Sequence, residues 1–428
     1  MEREIVRHPA TGEEYVRLVL DSGLTVLCYP VQGYTIAHAV YGTNFGSVDR
    51  FFSLNGKEWQ VPAGVAHFLE HKMFENENGE DAFELYAETG ASANAFTSFD
   101  KTCYLFTASS QIDRSLDILL SFVSQPYFTD ATVQKEQGII GQEIKMYDDN
   151  PDWRLMFSLL ADMYQNSTVQ DDIAGSVESI SHITPEILYA CTDAFYDPHN
   201  MVLSVAGNIT EQQVLDACRR AGLTEARPAP AVCRHIPQEP PEVRKKETVL
   251  HMEVSRPVLG LGFKEESLAP EERLKGEVMA DLLTEVICGD TTPLYRRLYD
   301  AGLINPGFSG DFLSGEGYFS FQFGGETSDP AQVEQQLLEE IDRLRRQGSP
   351  EEIFSAYKKT LYGEGISDLE NMESIATGAA AAQMRGHSYF DMLDALAAVT
   401  LEDLQSALGA WLSTQRMTRT LILPKEGE

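Results

Sequence analysis

Two histidines and a glutamate lie within one short segment, at His67, Glu70 and His71. No helix-breaking residue falls between Val65 and Glu77, so the segment predicts a helix. Because each helical residue advances by about 100°, the three side chains project from one face. Two imidazoles could then bind one metal ion, and the carboxylate could act as a base toward water at its open position. A hydrolytic zinc site requires this combination of groups.

A polar stripe on a solvated helix is the alternative interpretation of this motif. The residues around the histidines include Phe68, Leu69 and Met73, which are apolar and indicate that the helix is packed. Paired histidines beside a carboxylate in such a setting need partners. The metal interpretation is therefore favoured over the polar stripe.

A catalytic zinc site usually has three protein ligands, so a third is expected elsewhere in the chain. The candidate segment is a helix that Thr129 or Asp130 can cap and that ends before Pro151. Glu136 and Glu143 are seven residues apart and share one face of this helix. One carboxylate could complete the site, and the other could orient a histidine. Taken alone, both could equally be solvated glutamates, as most glutamates are.

Two glycines, Gly138 and Gly141, lie in the interior of the same helix. Each costs about 1 kcal/mol of helix stability relative to alanine. Their presence predicts that another element packs very close to the helix at this point.

The composition limits the class of protein. The chain has 428 residues, of which 43% are hydrophobic, so two or more folded domains are expected. The net charge of −33 argues against nucleic acid and against a membrane surface as partners. Six widely spaced cysteines without a C-x-x-C pair predict reduced thiols. With no apolar signal-peptide region and no apolar run of membrane-spanning length, the chain is expected to be cytoplasmic.

A proline-rich segment at 226–247 divides the chain nearly in half and predicts a linker between residues 1–225 and residues 248–428. Both halves show the order strand, helix, turn, helix at an offset of about 220 residues, which indicates an internal duplication. Short alternating strands mixed with long amphipathic helices predict an α+β fold with two layers in each half.

The duplication allows the two halves to be compared. When the equivalent helices are aligned at an apolar position, Ala356 falls opposite Glu136 and Gly363 falls opposite Glu143. The second half also has no paired histidines. The alignment therefore predicts that only the first half retained the polar site.

The motif H-x-x-E-H, followed after some seventy residues by two glutamates seven apart, resembles the inverted zincins. These form the peptidase family of pitrilysin, insulin-degrading enzyme and mitochondrial processing peptidase. The similarity continues in the family's order through "GLTVLCYPV", "GASANAFTSFDKTCYLF" and "FYDPHNMVLSVAGNI". It covers most of the first half specifically and the second half by architecture, and it looks closest to short bacterial members that work as paired subunits.

The resemblance implies one zinc ion per chain held by His67, His71 and Glu143, with Glu70 as the general base and Glu136 behind the ligands. It implies a duplicated fold in which each half is a mixed, mostly antiparallel sheet with helices packed on one face. The two halves would face each other across a chamber. The implied activity is that of a zinc-dependent endopeptidase of the processing type, which cleaves short or unfolded peptides.

The resemblance also assigns Asn94, Ala95 and Thr97 to an edge strand to which the backbone of the substrate adds. The residues alone predict only a hairpin that turns at Asp100-Lys101. The acidity of the chain is a weak indication that the peptide substrates are basic or leader-type segments.

One departure from the family pattern lies in the second half. Active members carry an arginine and a tyrosine there that help to hold the scissile carbonyl, but the alignment puts Tyr299 and Asn305 at these positions, with Arg296 and Arg297 out of step. This predicts the zinc-bearing subunit of a heterodimer whose homologous partner supplies the arginine and tyrosine, although a homodimer stays open. A catalytically incomplete scaffold or peptide-binding subunit is the main alternative. A zinc hydrolase of small molecules is a third, which the long strand and the second domain disfavour.

Overall fold

The computed structural model describes residues 1–77, 79 and 81–425. Its strands are β1 (Glu2–Arg7), β2 (Glu14–Val19), β3 (Thr25–Pro30), β4 (Ala37–Thr43), β5 (Phe51–Leu54), β6 (Lys57–Gln60), β7 (Ser92–Thr97), β8 (Thr102–Ala108), β9 (Met201–Gly207), β10 (Val232–Arg234), β11 (Glu247–Met252), β12 (Val258–Glu265), β13 (Ser309–Gly315), β14 (Tyr318–Glu326) and β15 (Met417–Pro424). Its α-helices are α1 (Val65–Lys72), α2 (Ala82–Thr89), α3 (Ile112–Ser124), α4 (Asp130–Asp148), α5 (Pro151–Met163), α6 (Val177–Ile180), α7 (Pro185–Phe195), α8 (Glu211–Arg220), α9 (Pro270–Cys288), α10 (Pro293–Asp300), α11 (Pro330–Gln347), α12 (Glu351–Asp368), α13 (Met372–Met384), α14 (Asp391–Ala398) and α15 (Leu401–Ala410).

The first compact unit contains residues Met1–Gln142, Asp172–His235 and Ile366–Asp391. Its main sheet has the strand order β1-β2-β3-β9-β4-β8-β7. Neighbouring strands are antiparallel, except that β3 and β9 are parallel. Strands β10, β5 and β6 form a small second sheet.

The interior strand β4 is buried at every position, because α3 and α13 pack on its two faces. Tyr41 interacts with Ser124 at the end of α3. Its neighbour Gly42 points to the opposite face, where a Cβ would lie 2.5 Å from Cε of Met384 at the end of α13. A side chain at this position would therefore require the end of the Met384 side chain to move.

The second compact unit contains residues Glu143–Asp171, Ile236–Gly365 and Met392–Glu428. The division between the units falls inside α4, which is continuous across it. The sheet of this unit has the order β11-β15-β12-β14-β13, with only β11 and β15 parallel.

Strand β12 is also buried at every position. Leu259, Leu261 and Phe263 pack into the main hydrophobic core of the unit together with residues of α9. The other face carries Gly260 and Gly262, and helix α5 packs on it. Glycine is needed here because a Cβ at position 260 would lie 2.8 Å from a methyl carbon on α5.

The predicted α+β class with mixed, mostly antiparallel sheets is confirmed. One detail differs from the prediction, since helices cover both faces of the seven-stranded and the five-stranded sheet and not one face only. The second layer of helix is possible because the central strands carry small residues on that side.

Helices α5 and α13 are the elements that complete these second layers. Helix α5 follows α4 in the first half of the sequence but packs on β12 and β15, whereas α13 follows α12 but packs on β4 and β9. Each begins after a capping asparagine, Asn150 or Asn371. The compact units therefore differ from the predicted domains 1–225 and 248–428. The first unit includes residues 366–391 from the second half of the sequence, and the second unit includes residues 143–171 from the first half.

The predicted linker at 226–247 contains the division between the units at His235 and Ile236. Its first part adds β10 to the small sheet beside β5. Its second part is held by Lys264, whose ammonium group donates to the Glu239 carboxylate at 2.5 Å and to the carbonyl of Pro240 at 2.6 Å. The segment is thus extended, as expected, but bound along its length.

All six cysteines are free thiols, five of them buried and Cys233 exposed. This agrees with the predicted reduced thiols, while the cytoplasmic location stays a prediction. Within the described residues, no helix combines the length and the apolar character that crossing a bilayer requires.

Candidate metal centre

Helix α1 carries the H-x-x-E-H motif and spans Val65–Lys72, ending before the predicted limit at Glu77. It follows Gly64, which has a φ of +88° and where a Cβ would lie 2.4 Å from the carbonyl oxygen of Ala174. Only glycine combines this backbone conformation with so close an approach. The helix entry is therefore fixed against a neighbouring loop.

The two histidines of α1 face each other, with ring centroids 4.7 Å apart and ring planes at 61°. His67 is buried, whereas 27% of the His71 side chain is exposed. Nδ1 of His71 lies 3.1 Å from Oε1 of Glu136 on α4, and the Glu136 side chain is buried. A carboxylate that accepts from Nδ1–H leaves Nε2 as the unprotonated nitrogen, which is the form that binds a metal.

Glu143 lies two turns beyond Glu136 on α4. One ligand atom from each of His67, His71 and Glu143 lies within 4.8 Å of the other two. Oε1 of Glu143 accepts a hydrogen bond of 2.8 Å from the hydroxyl of Tyr147. The structure thus brings together the three predicted ligands, and it places Glu136 behind His71 rather than in the group of three.

The close packing predicted from the α4 glycines is wrong. No described neighbouring atom lies within 4 Å of the place where a Cβ at Gly138 or Gly141 would stand. Gly138 is exposed and Gly141 is buried, but at neither position would a Cβ meet a neighbouring atom closely.

Glu70 is positioned from the neighbouring sheet. The hydroxyl of Thr97, the last residue of β7, donates to Oε2 of Glu70 at 2.7 Å. The predicted base and a predicted substrate-binding residue are therefore in direct contact.

A pair of phenols also lies close enough to Glu70 to be influenced by its charge. The hydroxyls of Tyr104 and Tyr196 are 2.9 Å apart. Burial, supplemented by the charge of Glu70, raises the pKa of both phenols well above the usual range. Both hydroxyls stay neutral at any physiological pH and serve as hydrogen-bonding groups only.

Strand β7 is at the edge of the seven-stranded sheet and pairs with β8. It carries Asn94, Ala95 and Thr97, and the hairpin that follows closes with Ser98 bonded to Lys101 across Phe99-Asp100. The predicted hairpin is present one residue earlier than expected. An edge strand offers unpaired backbone groups to a further strand, but the substrate role of the three residues stays a prediction.

A salt-bridge network joins α1 to α4 beside the histidines. Lys72 is fully buried and bonds Glu75, which also accepts from Lys135 at 2.9 Å. Although burial opposes ionisation, the two lysines hold the pKa of Glu75 below its usual range. The network holds the end of α1 against the turn of α4 that carries Glu136.

Tyr299 and Asn305, the second-half residues that depart from the family pattern, both contact residues of the second unit. Tyr299 is 43% exposed and stacks on Tyr295 with ring centroids 6.1 Å apart. Asn305 donates to Glu326 at 2.7 Å and accepts from the backbone N–H of Gly307.

Sequence reasoning missed the contacts of Tyr147 and of the Tyr104–Tyr196 pair. Tyr147 could have been found, because it lies one helical turn after Glu143, at the spacing that brings helical side chains together. The phenol pair could not, since Tyr104 and Tyr196 are far apart in the sequence and meet only in the fold.

Comparison with known proteins places the chain in a family. The model described as "Insulinase (Peptidase family M16)" matches residues 57–177, and the model described as "Peptidase M16 inactive domain" matches residues 182–361. The Bacillus subtilis (strain 168) protein YmfH, named an uncharacterized zinc protease, is 39% identical over 411 residues, which are 95% of this chain and 96% of the relative. The chain belongs to peptidase family M16.

Solved structures agree with membership of family M16. An M16-like peptidase from Alicyclobacillus acidocaldarius is 32% identical, with a TM-score of 0.92 over 99% of both chains. Pitrilysin is 16% identical with a TM-score of 0.77, and its match covers 99% of this chain but 47% of pitrilysin. The protein thus has the M16 fold and fits the short, paired-subunit type of the family.

The donor set of this M16 protein fits zinc. Two imidazoles and one carboxylate are the ligands of many catalytic zinc sites, which keep a fourth position open. The side chains converge on one point from α1 and α4, and His71 has the carboxylate partner that zinc-binding histidines usually have.

Proposed function

We propose that this M16 protein is a zinc-dependent endopeptidase that cleaves short or unfolded peptides. The observation that carries the proposal is the convergence of His67 and His71 on α1 with Glu143 on α4, whose ligand atoms lie within 4.8 Å of one another. Helix α1 also carries Glu70. His67, His71 and Glu143 are assigned as ligands of one zinc ion, Glu70 as the general base, and Glu136 as the residue that orients His71. The family membership and the zinc-protease names of its relatives support this assignment.

Each residue then has a definite task. When bound, zinc would supply Lewis-acid chemistry for attack of water on a peptide carbonyl. Glu70 accepts the proton of the attacking water and passes it to the leaving amine. The Thr97 hydroxyl fixes the Glu70 carboxylate by donating to Oε2. Glu136 keeps the Nδ1 proton of His71 in place.

The substrate is proposed to be an extended peptide. Its backbone would add to the edge strand β7, with Asn94, Ala95 and Thr97 as the contact residues. Such binding requires a segment without its own secondary structure, so folded proteins are poor substrates. With a net charge of −33, the protein would favour basic or leader-type peptides.

The chain is proposed to be the catalytic subunit of a heterodimer. Tyr299, at the arginine position, has no guanidinium group and stacks on a neighbouring tyrosine. Asn305, at the tyrosine position, has no phenol and donates to Glu326. A homologous partner would supply that pair. The same two residues favour the alternative, a catalytically incomplete family member that serves as a scaffold or peptide-binding subunit, whereas the intact His67, Glu70, His71 and Glu143 disfavour it.

The test is cleavage of a pool of unstructured peptides by the purified zinc-loaded chain, read by mass spectrometry. Glu70→Gln is the control, because it preserves shape and removes the base. Products that disappear in this variant support a complete peptidase. Equal products from both proteins would remove Glu70 as the base, and no products from the wild-type chain with zinc bound would favour the subunit that needs a partner.

A metal measurement separates the ligands from the base. Glu143→Gln is expected to weaken zinc retention, whereas Glu70→Gln is expected to retain zinc at the wild-type level. Zinc content after dialysis, measured by elemental analysis, decides the matter. Unchanged zinc in Glu143→Gln would exclude Glu143 from the ligand set.

A further inference from the structure

Helix α4 carries a tyrosine that contacts the third member of the ligand group. The hydroxyl of Tyr147 donates to Oε1 of Glu143 at 2.8 Å, one helical turn away. A hydrogen bond to one oxygen of a carboxylate restricts rotation of the whole group. The rotation of the Glu143 side chain is therefore controlled by the position of the Tyr147 ring.

The Tyr147 ring is itself held by an aromatic stack. It lies parallel to Trp153 of α5, with centroids 4.6 Å apart and planes at 17°. Trp153 in turn contacts Phe157 at 5.0 Å. The start of α5 is fixed by Asn150, whose side chain accepts from the backbone N–H groups of Asp152 and Trp153.

Tyr147 is thus a rigid hydrogen-bond donor and not a freely rotating phenol. Its ring is planar and stacked, so the hydroxyl needs little ordering to reach Glu143. A ligand that is already oriented loses less entropy when it binds a metal, which raises the affinity.

We propose that Tyr147 is a positioning residue for zinc binding, which orients Glu143 through its hydroxyl and is fixed by Trp153. This inference rests on the proposed function, because it takes Glu143 as a zinc ligand. It adds Tyr147, near the junction of α4 and α5, to the site residues that the sequence motifs identify.

The test is the zinc affinity of Tyr147→Phe, which keeps the stacked ring and removes only the hydroxyl. Replacing an outer partner of a metal ligand typically lowers the affinity about 10- to 100-fold, and a fall of that size is expected. The matched control is Tyr29→Phe, since the Tyr29 hydroxyl also bonds a carboxylate, that of Glu13, but lies on β3. The control is expected to bind zinc as the wild-type chain does.

Affinity is measured by competition with a chromophoric chelator, and the visible spectrum of the cobalt-substituted protein reports ligand geometry without any need for activity. A changed spectrum and weaker affinity in Tyr147→Phe alone support the inference. Wild-type affinity and spectrum in Tyr147→Phe would overturn it while leaving the proposed function intact. A wild-type chain that binds no zinc would overturn both.

A second variant, Trp153→Leu, separates orientation from loss of fold. Removing the stack while retaining the hydroxyl is expected to lower the zinc affinity by a smaller factor than Tyr147→Phe, at an unchanged circular dichroism spectrum. If Trp153→Leu binds zinc as tightly as wild type, the Trp153 ring does not hold the Tyr147 hydroxyl in position, and that part of the inference fails.

Discussion

Replacing Thr97 by valine removes one hydroxyl from the end of β7 and leaves nearly everything else in place. Valine has the shape of threonine and the same preference for strands, so β7 should keep its pairing with β8. The group that is lost donates to Oε2 of Glu70 at 2.7 Å. The substitution therefore tests whether the edge strand orients the proposed base.

The size of the effect follows from the contact. A hydrogen bond to a charged group contributes about 1.5–3 kcal/mol. Thr97 is half-buried, which places the bond near the lower end of that range. A loss of about 1.5 kcal/mol corresponds to a roughly tenfold fall in rate. Zinc content should not change, because neither Thr97 nor Glu70 is among the proposed ligands.

The assay compares kcat/KM on a cleaved peptide for the wild-type chain, Thr97→Val and Thr25→Val, a matched change on β3 of the same sheet. We expect a tenfold fall confined to Thr97→Val and expressed mainly in kcat. Wild-type kcat/KM in Thr97→Val would refute the orienting role of the hydroxyl. A fall accompanied by zinc loss would mean that the substitution had disturbed α1 instead.

Three further changes have defined outcomes. Glu136→Gln should lower zinc affinity about 10- to 100-fold through its histidine partner, and unchanged chelator competition would contradict this. Burial, and to a smaller extent the charges of two nearby carboxylates, raises the pKa of Asp281 to about 6. The stability that the protonated Asp281 contributes is therefore fully present below the ordinary pKa of 3.8 and is lost as the pH rises through about 6. Asp281→Asn should therefore stabilise the protein by up to about 3 kcal/mol near pH 8 and flatten the pH profile of urea unfolding, and equal stability to wild type at that pH would refute it. Gly260→Ala should lower the free energy of unfolding by about 1–3 kcal/mol, because the new Cβ would lie 2.8 Å from a carbon of Leu155, whereas Gly409→Ala, in open space, should not.

The metal centre could be predicted closely because, in a helix, the spacing of two residues in the sequence determines whether their side chains project from the same face. The pairs His67/His71 and Glu136/Glu143 are each separated by about one or two turns, so each pair shares a face whatever the rest of the chain does. The sequence did not determine that the two faces meet, and that expectation came from the resemblance. The role of Thr97 beside Glu70 was not visible at all, because strand and helix are brought together only by the fold.

The exchange of α5 and α13 could not be predicted for a different reason. Hydrophobic periodicity states which face of a helix is buried but not which sheet buries it. A signal was present in the strands, where Gly260 and Gly262 alternate with large residues of β12 and leave room on one face. In contrast, Gly138 and Gly141 gave a false signal, since a Cβ at either position would lie more than 4 Å from any neighbouring atom described.

The capping asparagines of the exchanged helices also correct the alignment of the two halves. Asn150 and Asn371 occupy the same position at the start of α5 and α13, 221 residues apart. On this register Glu364, and not Gly363, falls opposite Glu143, so the second half also carries a carboxylate at the ligand position.

In the part of the chain that the structure describes, this carboxylate belongs to no group of three side chains with the spacing of metal ligands. Glu364 and Glu285 line a cavity of about 360 Å³ in the second unit, and burial together with neighbouring carboxylates, Glu364 among them, raises the pKa of Glu285. The described residues that line this cavity include carboxylates but no imidazole, the ligand that a borderline-soft cation such as zinc prefers. Within the described residues, the only group of three with ligand spacing is that of His67, His71 and Glu143. One zinc per chain is therefore expected, and a zinc titration with two equivalents bound at similar affinity would show that the second half retained a site after all.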